Sequence, residues 1–261
     1  MKVTCVQMAM QFASPDENFQ KAESLIRRAA AEGPDVIVLP ETWNTGFFPH
    51  DNLPAYCDAD GERTTRLMAA LSAELGVNIV AGSVSDVRGG AVRNTSYVFT
   101  KAGACVGRYD KTHLFTPMNE DKFYEKGSTL CRFTLDGLQC AVLICYDIRF
   151  PELTRTLSVQ GLDVLFLPSQ WPAVRTEHLL TLCKARAIEN QMFVVNCNSC
   201  GTAGETVYGG ASSVWDPWGK CLAQAGTAEE LLTAELDPAV LQGIRESINV
   251  FRDRRPELYN L

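Results

Sequence analysis

Ala141-Val142-Leu143-Ile144-Cys145-Tyr146-Asp147-Ile148-Arg149-Phe150-Pro151-Glu152 decides the fold class. Its opening apolar run reads as a short buried strand. Pro151-Glu152, followed by Leu153, Leu157 and Val159, reads as a helix start. Between them stands Cys145, where a core strand ends and a loop begins. A rigid strand fixes such a residue while the loop lets it face a cleft, and catalytic groups concentrate on loops of this kind. The same position also suits a small buried hydrophobe, the role of many cysteines.

Working outward, the strand-then-helix unit recurs. Lys2 to Ala9 is a strand, and Ser14-Pro15-Asp16-Glu17 is a capping box with proline at the first helical position. That helix runs to about Glu32, before Gly33. Asp35 to Leu39 is a β-branched run ending at Pro40-Glu41. A second helix carries Leu67, Met68, Leu71 and Leu75, stops at Gly76, and hands over to a strand from Asn78 to Val84. From Val92 to Ile144 the pattern changes to hairpins, with Lys101-Ala102-Gly103 and Asp136-Gly137 as turns. Leu153 to Gln160 and Glu177 to Asn190 then alternate as helices with strands Asp163 to Leu167 and Met192 to Asn196. A last hairpin turns at Asp216-Pro217-Trp218-Gly219, and Asp237-Pro238 starts a terminal helix. The pattern gives one α/β domain over residues 1–261, with two sheets packed face to face and helices outside. Periodicity supports the α/β class without fixing the four layers.

The chain has 261 residues, 46% hydrophobic and 21% charged, enough for one large core. Its net charge of −7 and the lack of a Lys/Arg-rich run argue against nucleic acid or anionic membrane as partners. The densest basic cluster, Arg252 to Arg255, is interrupted by Asp253 and reads as a solvated or interface tail. Met1 to Val6 enters a strand pattern at once, and no stretch reaches transmembrane length. With ten cysteines and no secretory leader, reduced thiols and a cytoplasmic location are expected. Cys197-Asn198-Ser199-Cys200 is formally a C-x-x-C. It lacks the second pair that zinc needs and follows a strand where a redox motif would open a helix, so it reads as a strand end.

Three apolar strands each deliver an ionisable residue at their end. Glu41 follows Val36-Ile37-Val38-Leu39-Pro40, Lys111 lies within Arg108-Tyr109-Asp110-Lys111-Thr112-His113-Leu114-Phe115, and Cys145 follows Val142-Leu143-Ile144. Adjacent strand ends converge on one edge, where ligands bind. A thiolate nucleophile needs a base or a cation beside it near neutral pH. A buried Glu41 can take the thiol proton, pass it to a departing amine and then activate water. Lys111 can stabilise the thiolate and the oxyanion, helped by the backbone N–H of Tyr146. Singly, each has a plainer role: Glu41 as the cap of a turn, Lys111 as a surface partner of Asp110. A Cys–His site is the competing arrangement. Of the three histidines, His50, His113 and His178, only His113 is near these segments. It shares a face with Lys111 and so can line the pocket. No residue to orient it, as a papain-like triad requires, is identifiable.

The three stretches resemble the Glu–Lys–Cys triad of the nitrilase superfamily of carbon–nitrogen hydrolases in type and order. The resemblance extends from Val3 to Met8, through Lys184-Ala185-Arg186-Ala187-Ile188-Glu189-Asn190, to Asp253-Arg254-Arg255-Pro256-Glu257-Leu258-Tyr259. It implies an α-β-β-α sandwich that dimerises through its helices, a covalent thioester intermediate, and neither metal nor other cofactor. It also implies Glu41 as base, Lys111 as oxyanion partner, Cys145 as nucleophile, and Glu120 as a second glutamate positioning Lys111 and substrate.

The wording around the triad, His113-Leu114-Phe115 with Pro117-Met118-Asn119-Glu120 and Cys145 to Glu152, resembles the ω-amidase branch. Members of that branch hydrolyse small terminal amides such as 2-oxoglutaramate. The pocket is expected to be closed by Trp43 or Phe47, by Phe115 and Met118, and by Ser169-Gln170-Trp171-Pro172, apolar walls with few polar anchors. A substrate carboxylate would want a cation, for which Arg149 and Arg175 are candidates; Arg149 is expected rather to brace the loop behind Cys145. Three other readings share the triad: an N-carbamoyl amine hydrolase, a true nitrilase, and a binding or scaffold protein.

Overall fold

The computed structural model describes residues 1–47, 49 and 51–259. The chain opens with β1 (Lys2–Gln7), α1 (Pro15–Ala30) and β2 (Val36–Val38). A short β3 (Asp58–Ala59) precedes α2 (Glu62–Leu75) and β4 (Asn78–Val80). The hairpin segment supplies β5 (Val84–Arg88), β6 (Ala91–Phe99), β7 (Cys105–Asp110), β8 (Arg132–Leu135) and β9 (Leu138–Val142). Next come α3 (Pro151–Ser158), β10 (Val164–Ser169), α4 (Thr176–Asn190) and β11 (Phe193–Asn198). Hairpins β12 (Cys200–Ala203) with β13 (Thr206–Gly209), and β14 (Ser213–Trp215) with β15 (Cys221–Gln224), lead to β16 (Glu230–Glu235) and α5 (Ala239–Ser247).

These strands form an eight-stranded sheet, β16-β1-β2-β4-β6-β5-β3 with β7 also on β6, and a six-stranded sheet, β15-β14-β11-β10-β9-β8. The period-2 pattern of the first sheet explains the layering. Val3, Cys5, Val36, Val38, Val80 and Val98 point inward and join Phe133, Val142, Val164, Phe166 and Val194 of the second sheet in one core. The alternate residues Val6, Ile37, Ile79 and Phe99 point outward onto Phe19, Leu25 and Ile26 of α1 and Met68 and Leu71 of α2. Leu157 of α3 and Leu179, Cys183 and Ala187 of α4 pack on the far side of the second sheet. The result is an α-β-β-α sandwich. No helix among the described residues is long and apolar enough to cross a membrane.

Several local expectations change. Pro15 does open α1, but Ser14 forms no side-chain cap; its hydroxyl turns back to donate to the Phe12 carbonyl. The expected strand Asn78 to Val84 is two strands, lying in tandem along β6 and broken at Ala81-Gly82-Ser83. Gly82 adopts φ +62°, and a Cβ there would sit 2.0 Å from the Pro40 carbonyl oxygen, so glycine is required for the two turns to touch. β16 was not among the expected strands; it pairs antiparallel with β1 at the edge of the first sheet. Cys197 sits in the seam between the sheets, its thiol donating to the carbonyls of Val6 and Val38, while Cys200 opens β12. Among the described residues no group of His, Cys, Asp or Glu side chains has the arrangement of a metal site.

Candidate active site

Each key side chain is set by a pinned turn. After β2, the Ser83 N–H donates to the Pro40 carbonyl at 3.0 Å and the Thr42 N–H to Ser83 Oγ at 3.0 Å. The Glu41 N–H reaches the carbonyl of Ser169, at the end of β10 in the other sheet, at 3.3 Å. Lys111 follows β7, its N–H donating to the Asn94 carbonyl on β6 at 2.9 Å. Glu120 leads a short 3-10 turn and accepts the Phe115 N–H at 2.6 Å. Cys145 begins a 3-10 turn, Cys145–Arg149, at φ +48°. A non-glycine residue in this left-handed region carries a local cost of about 1–2 kcal/mol, met only where surrounding structure enforces it.

Asp147 enforces it. This fully buried carboxylate accepts the Ile144 N–H at 3.0 Å and the Tyr109 hydroxyl at 2.8 Å on Oδ2. On Oδ1 it accepts the His113 N–H at 3.0 Å and the Thr112 hydroxyl at 3.1 Å, with His113 Nδ1 at 2.9 Å. One side chain therefore ties the loop carrying Lys111 to the turn carrying Cys145.

At the centre, Lys111 is only 2% exposed. Its Nζ donates to Glu41 Oε1 at 2.8 Å and to Glu120 Oε2 and Oε1 at 2.8 and 3.0 Å. Both glutamates are buried. Burial pushes the Glu41 carboxyl above its ordinary range; Lys111 opposes the rise and Glu120 adds to it. The Cys145 thiol is raised well above its ordinary value by burial and then by the Glu41 charge. Lys111 and the Gln170 backbone N–H pull it back. Although burial opposes charge on Lys111, Glu120 and then Glu41 more than compensate and hold it protonated. Burial thus keeps the thiol neutral at rest, beside a fixed ammonium.

Glu41, Lys111, Glu120, Cys145, Tyr146, Phe115, Met118 and Trp171 line one cleft of about 490 Å³ of empty space, mouth included, and of the expected wall Ser169-Gln170-Trp171-Pro172 all but Ser169 face it. Of the two candidate lids, Phe47 lines the cleft and Trp43 does not. Trp43 is fully buried, its Nε1–H donating to the Ala81 carbonyl and its ring meeting Phe19 edge-on at 4.7 Å. His113 does not line the cleft either; it stacks on Phe150 at 3.7 Å and pairs with Asp147. His50 lies outside the described residues. Lys111 does not pair with Asp110, which instead meets Arg88.

Arg149 was expected behind the nucleophile and instead faces the cleft, as does Arg175. Arg149 lies over the Trp171 ring at 4.6 Å, with Nη2 3.2 Å from His178 Nδ1, and Arg175 lies over Phe115 at 5.1 Å. Among the described residues neither guanidinium has a carboxylate partner. Sequence reasoning missed Asn94. Its Nδ2 donates to Glu41 Oε1 at 2.8 Å and to Glu120 Oε1 at 3.2 Å, and it too lines the cleft. The available signal was a polar run, Arg93-Asn94-Thr95-Ser96, inside a strand with Val92 before it and Tyr97-Val98-Phe99 after it.

Comparison with known proteins identifies the family. A carbon–nitrogen hydrolase family model matches residues 2–246. A 2-oxoglutaramate amidase of Bacillus subtilis is 41% identical over 98% of this chain and 98% of its own. An omega-amidase of Homo sapiens is 30% identical over 93% of this chain and 91% of its own. The crystal structure of a CN-hydrolase superfamily protein from Xanthomonas campestris, with an arsenic adduct in its active site, superposes with a TM-score of 0.91. It is 28% identical and the match covers 98% of this chain and 97% of that one. Matched by the family model over nearly its whole length, this chain belongs to the carbon–nitrogen hydrolase family.

Proposed function

We propose that the chain is an ω-amidase-like hydrolase, cleaving a small terminal amide that carries a carboxylate at its other end, as 2-oxoglutaramate does. The observation that carries this reading is a thiol, a carboxylate and a buried ammonium in one cleft that also presents two guanidinium groups without carboxylate partners. The substrate named for the Bacillus subtilis relative supports it.

In this reading Glu41 takes the Cys145 proton as the sulfur attacks the amide carbon. The carbonyl oxygen becomes an oxyanion, met by Lys111 and the backbone N–H of Tyr146. Glu41 returns the proton to the amide nitrogen, ammonia leaves, and a thioester remains on Cys145. Glu41 then deprotonates water, which attacks the thioester; the acid departs and the thiol is restored. Glu120 holds Lys111 from the opposite side. Phe115, Met118 and Trp171 wall the short carbon chain, and Arg149 and Arg175 receive the distal carboxylate. No cofactor takes part.

The chain acts as a single domain over residues 1–261, in the cytoplasm, as a homodimer. Exposed Val159 and Ile188, beside α3 and on α4, support pairing through the outer helices.

Ammonia release from 2-oxoglutaramate, lost in Cys145→Ala, tests the reaction, together with an acyl adduct on Cys145 trapped in Glu41→Gln and seen by intact mass. The reading fails if ammonia appears only from a nitrile, or if carbon dioxide accompanies it from a carbamoyl compound.

A further inference from the structure

We propose that Asn94 is a positioning residue for the general base: its side-chain amide holds one oxygen of Glu41 and one of Glu120, so that the other Glu41 oxygen faces the Cys145 sulfur. This rests on the reading above, in which Glu41 is the base.

The hydrogen-bond count points to it. Glu41 Oε1 receives both Lys111 Nζ and Asn94 Nδ2 at 2.8 Å, and Glu120 Oε1 receives the same two donors at 3.0 and 3.2 Å. Two nitrogens and two oxygens close a ring. The amide NH₂ has two hydrogens and both go to carboxylates, which fixes the orientation of the amide. Asn94 itself is held on β6, opposite Ser85 of β5 in the ladder and accepting the Lys111 N–H on its carbonyl. It is 1% exposed.

The residue type matters as much as the contact. Arginine or lysine here would lock Glu41 into a second ion pair and weaken it as a base. Aspartate would add a third carboxylate around one ammonium. A neutral donor holds the oxygen in place while leaving the carboxylate basic. Asn94 also keeps both glutamates in place when a Lys111 N–H turns toward the oxyanion. The titratable groups around Glu41 are Glu120, Lys111 and Cys145, with the Tyr124 and Tyr208 phenols raised far out of the working range by burial. Arg149 and Arg175 share the cleft.

The test compares the parent enzyme with Asn94→Ala and Asn94→Asp, each first checked for folding by its thermal midpoint. Two assays are run against pH: turnover of 2-oxoglutaramate and inactivation by iodoacetamide at Cys145. In Asn94→Ala, kcat should fall about 10²-fold, the cost of misplacing a reacting group by ~1 Å, while KM stays within about threefold. Removing a donor from the Glu41 anion should move the acid limb of both profiles up by about one pH unit. Asn94→Asp has the same size and, when ionised, no donor, so it should show the same loss of kcat; it carries the test if the alanine variant does not fold. A folded Asn94→Ala with kcat within about threefold of the parent, a loss confined to KM, or an unmoved acid limb overturns the assignment. Glu41→Gln measured alongside separates the two readings. If it stays active, the base role of Glu41 fails; if it is inactive while Asn94→Ala is active, only the role of Asn94 fails.

Discussion

Replacing Asp147 by asparagine changes one atom and should cost far more than its size suggests. The carboxylate accepts bonds from Ile144 N–H and Tyr109 on one oxygen, and from His113 N–H and Thr112 on the other, with His113 Nδ1 alongside. An amide keeps one acceptor oxygen and replaces the other with an NH₂, which only donates. Whichever way it turns, its NH₂ meets a backbone N–H that cannot accept, Ile144 in one orientation and His113 in the other. One buried N–H then loses its partner, at about 1–3 kcal/mol, and the surviving bonds lose the assistance of a charge, worth about 0.5–1 kcal/mol each. The total is about 3 kcal/mol, in a turn that already holds Cys145 in the left-handed region. For a domain of this size about 3 kcal/mol corresponds to a Tm lower by about 6–12 °C. Thermal unfolding of Asp147→Asn and the parent at one scan rate and buffer measures it, and kcat should fall as the Cys145 turn loosens from the Lys111 loop. A Tm within about 2 °C of the parent would refute the reasoning.

Two other outcomes are expected. Methionine at Arg149 or Arg175 should raise KM for 2-oxoglutaramate about tenfold or more, the value of a hydrogen bond to a charged group. A neutral amide of the same length should be almost unaffected, and equal losses on both substrates would sink the carboxylate role. Activity also requires Glu41 ionised, and burial raises its carboxyl; kcat/KM should therefore fall, as pH drops, through a value above the ordinary glutamate pKa of about 4.3. A pH profile whose acid limb lies at or below that value contradicts it.

The helices, the main strands and Glu41, Lys111 and Cys145 were legible because each leaves a local mark: a 3.6-residue period, a β-branched run, an ionisable residue closing an apolar segment. Glu120, in a loop, leaves none and was placed by the family resemblance alone. What escaped depends on contacts across the fold. The break between β4 and β5 exists because Gly82 must lie against Pro40, and that contact has no trace in the composition of either segment. Trp43 and Phe47 stand four residues apart after Glu41, and contacts with Phe19 and the Ala81 carbonyl make the first core while the second faces the cleft. His113 shares the face of Lys111 along the chain, yet the partner it meets, Asp147, comes from a distant segment. Asn94 looks like a polar flaw in a strand until β6 is laid beside Lys111.

Two buried carboxylates share one ammonium beside Cys145, so the reacting end of the cleft carries a formal surplus of one negative charge. An amide enters that end neutral and leaves it as an acid. Once Glu41 is ionised again, the new carboxylate meets two like charges and one ammonium. At about 5 Å and an effective dielectric near 20 each interaction is about 3 kcal/mol, and Lys111 offsets one of the two repulsions, leaving a net cost of about 3 kcal/mol. The distal carboxylate is the same before and after, and holds substrate and product equally. The site therefore binds what it consumes better than what it makes, and product inhibition should be weak even where the released acid accumulates.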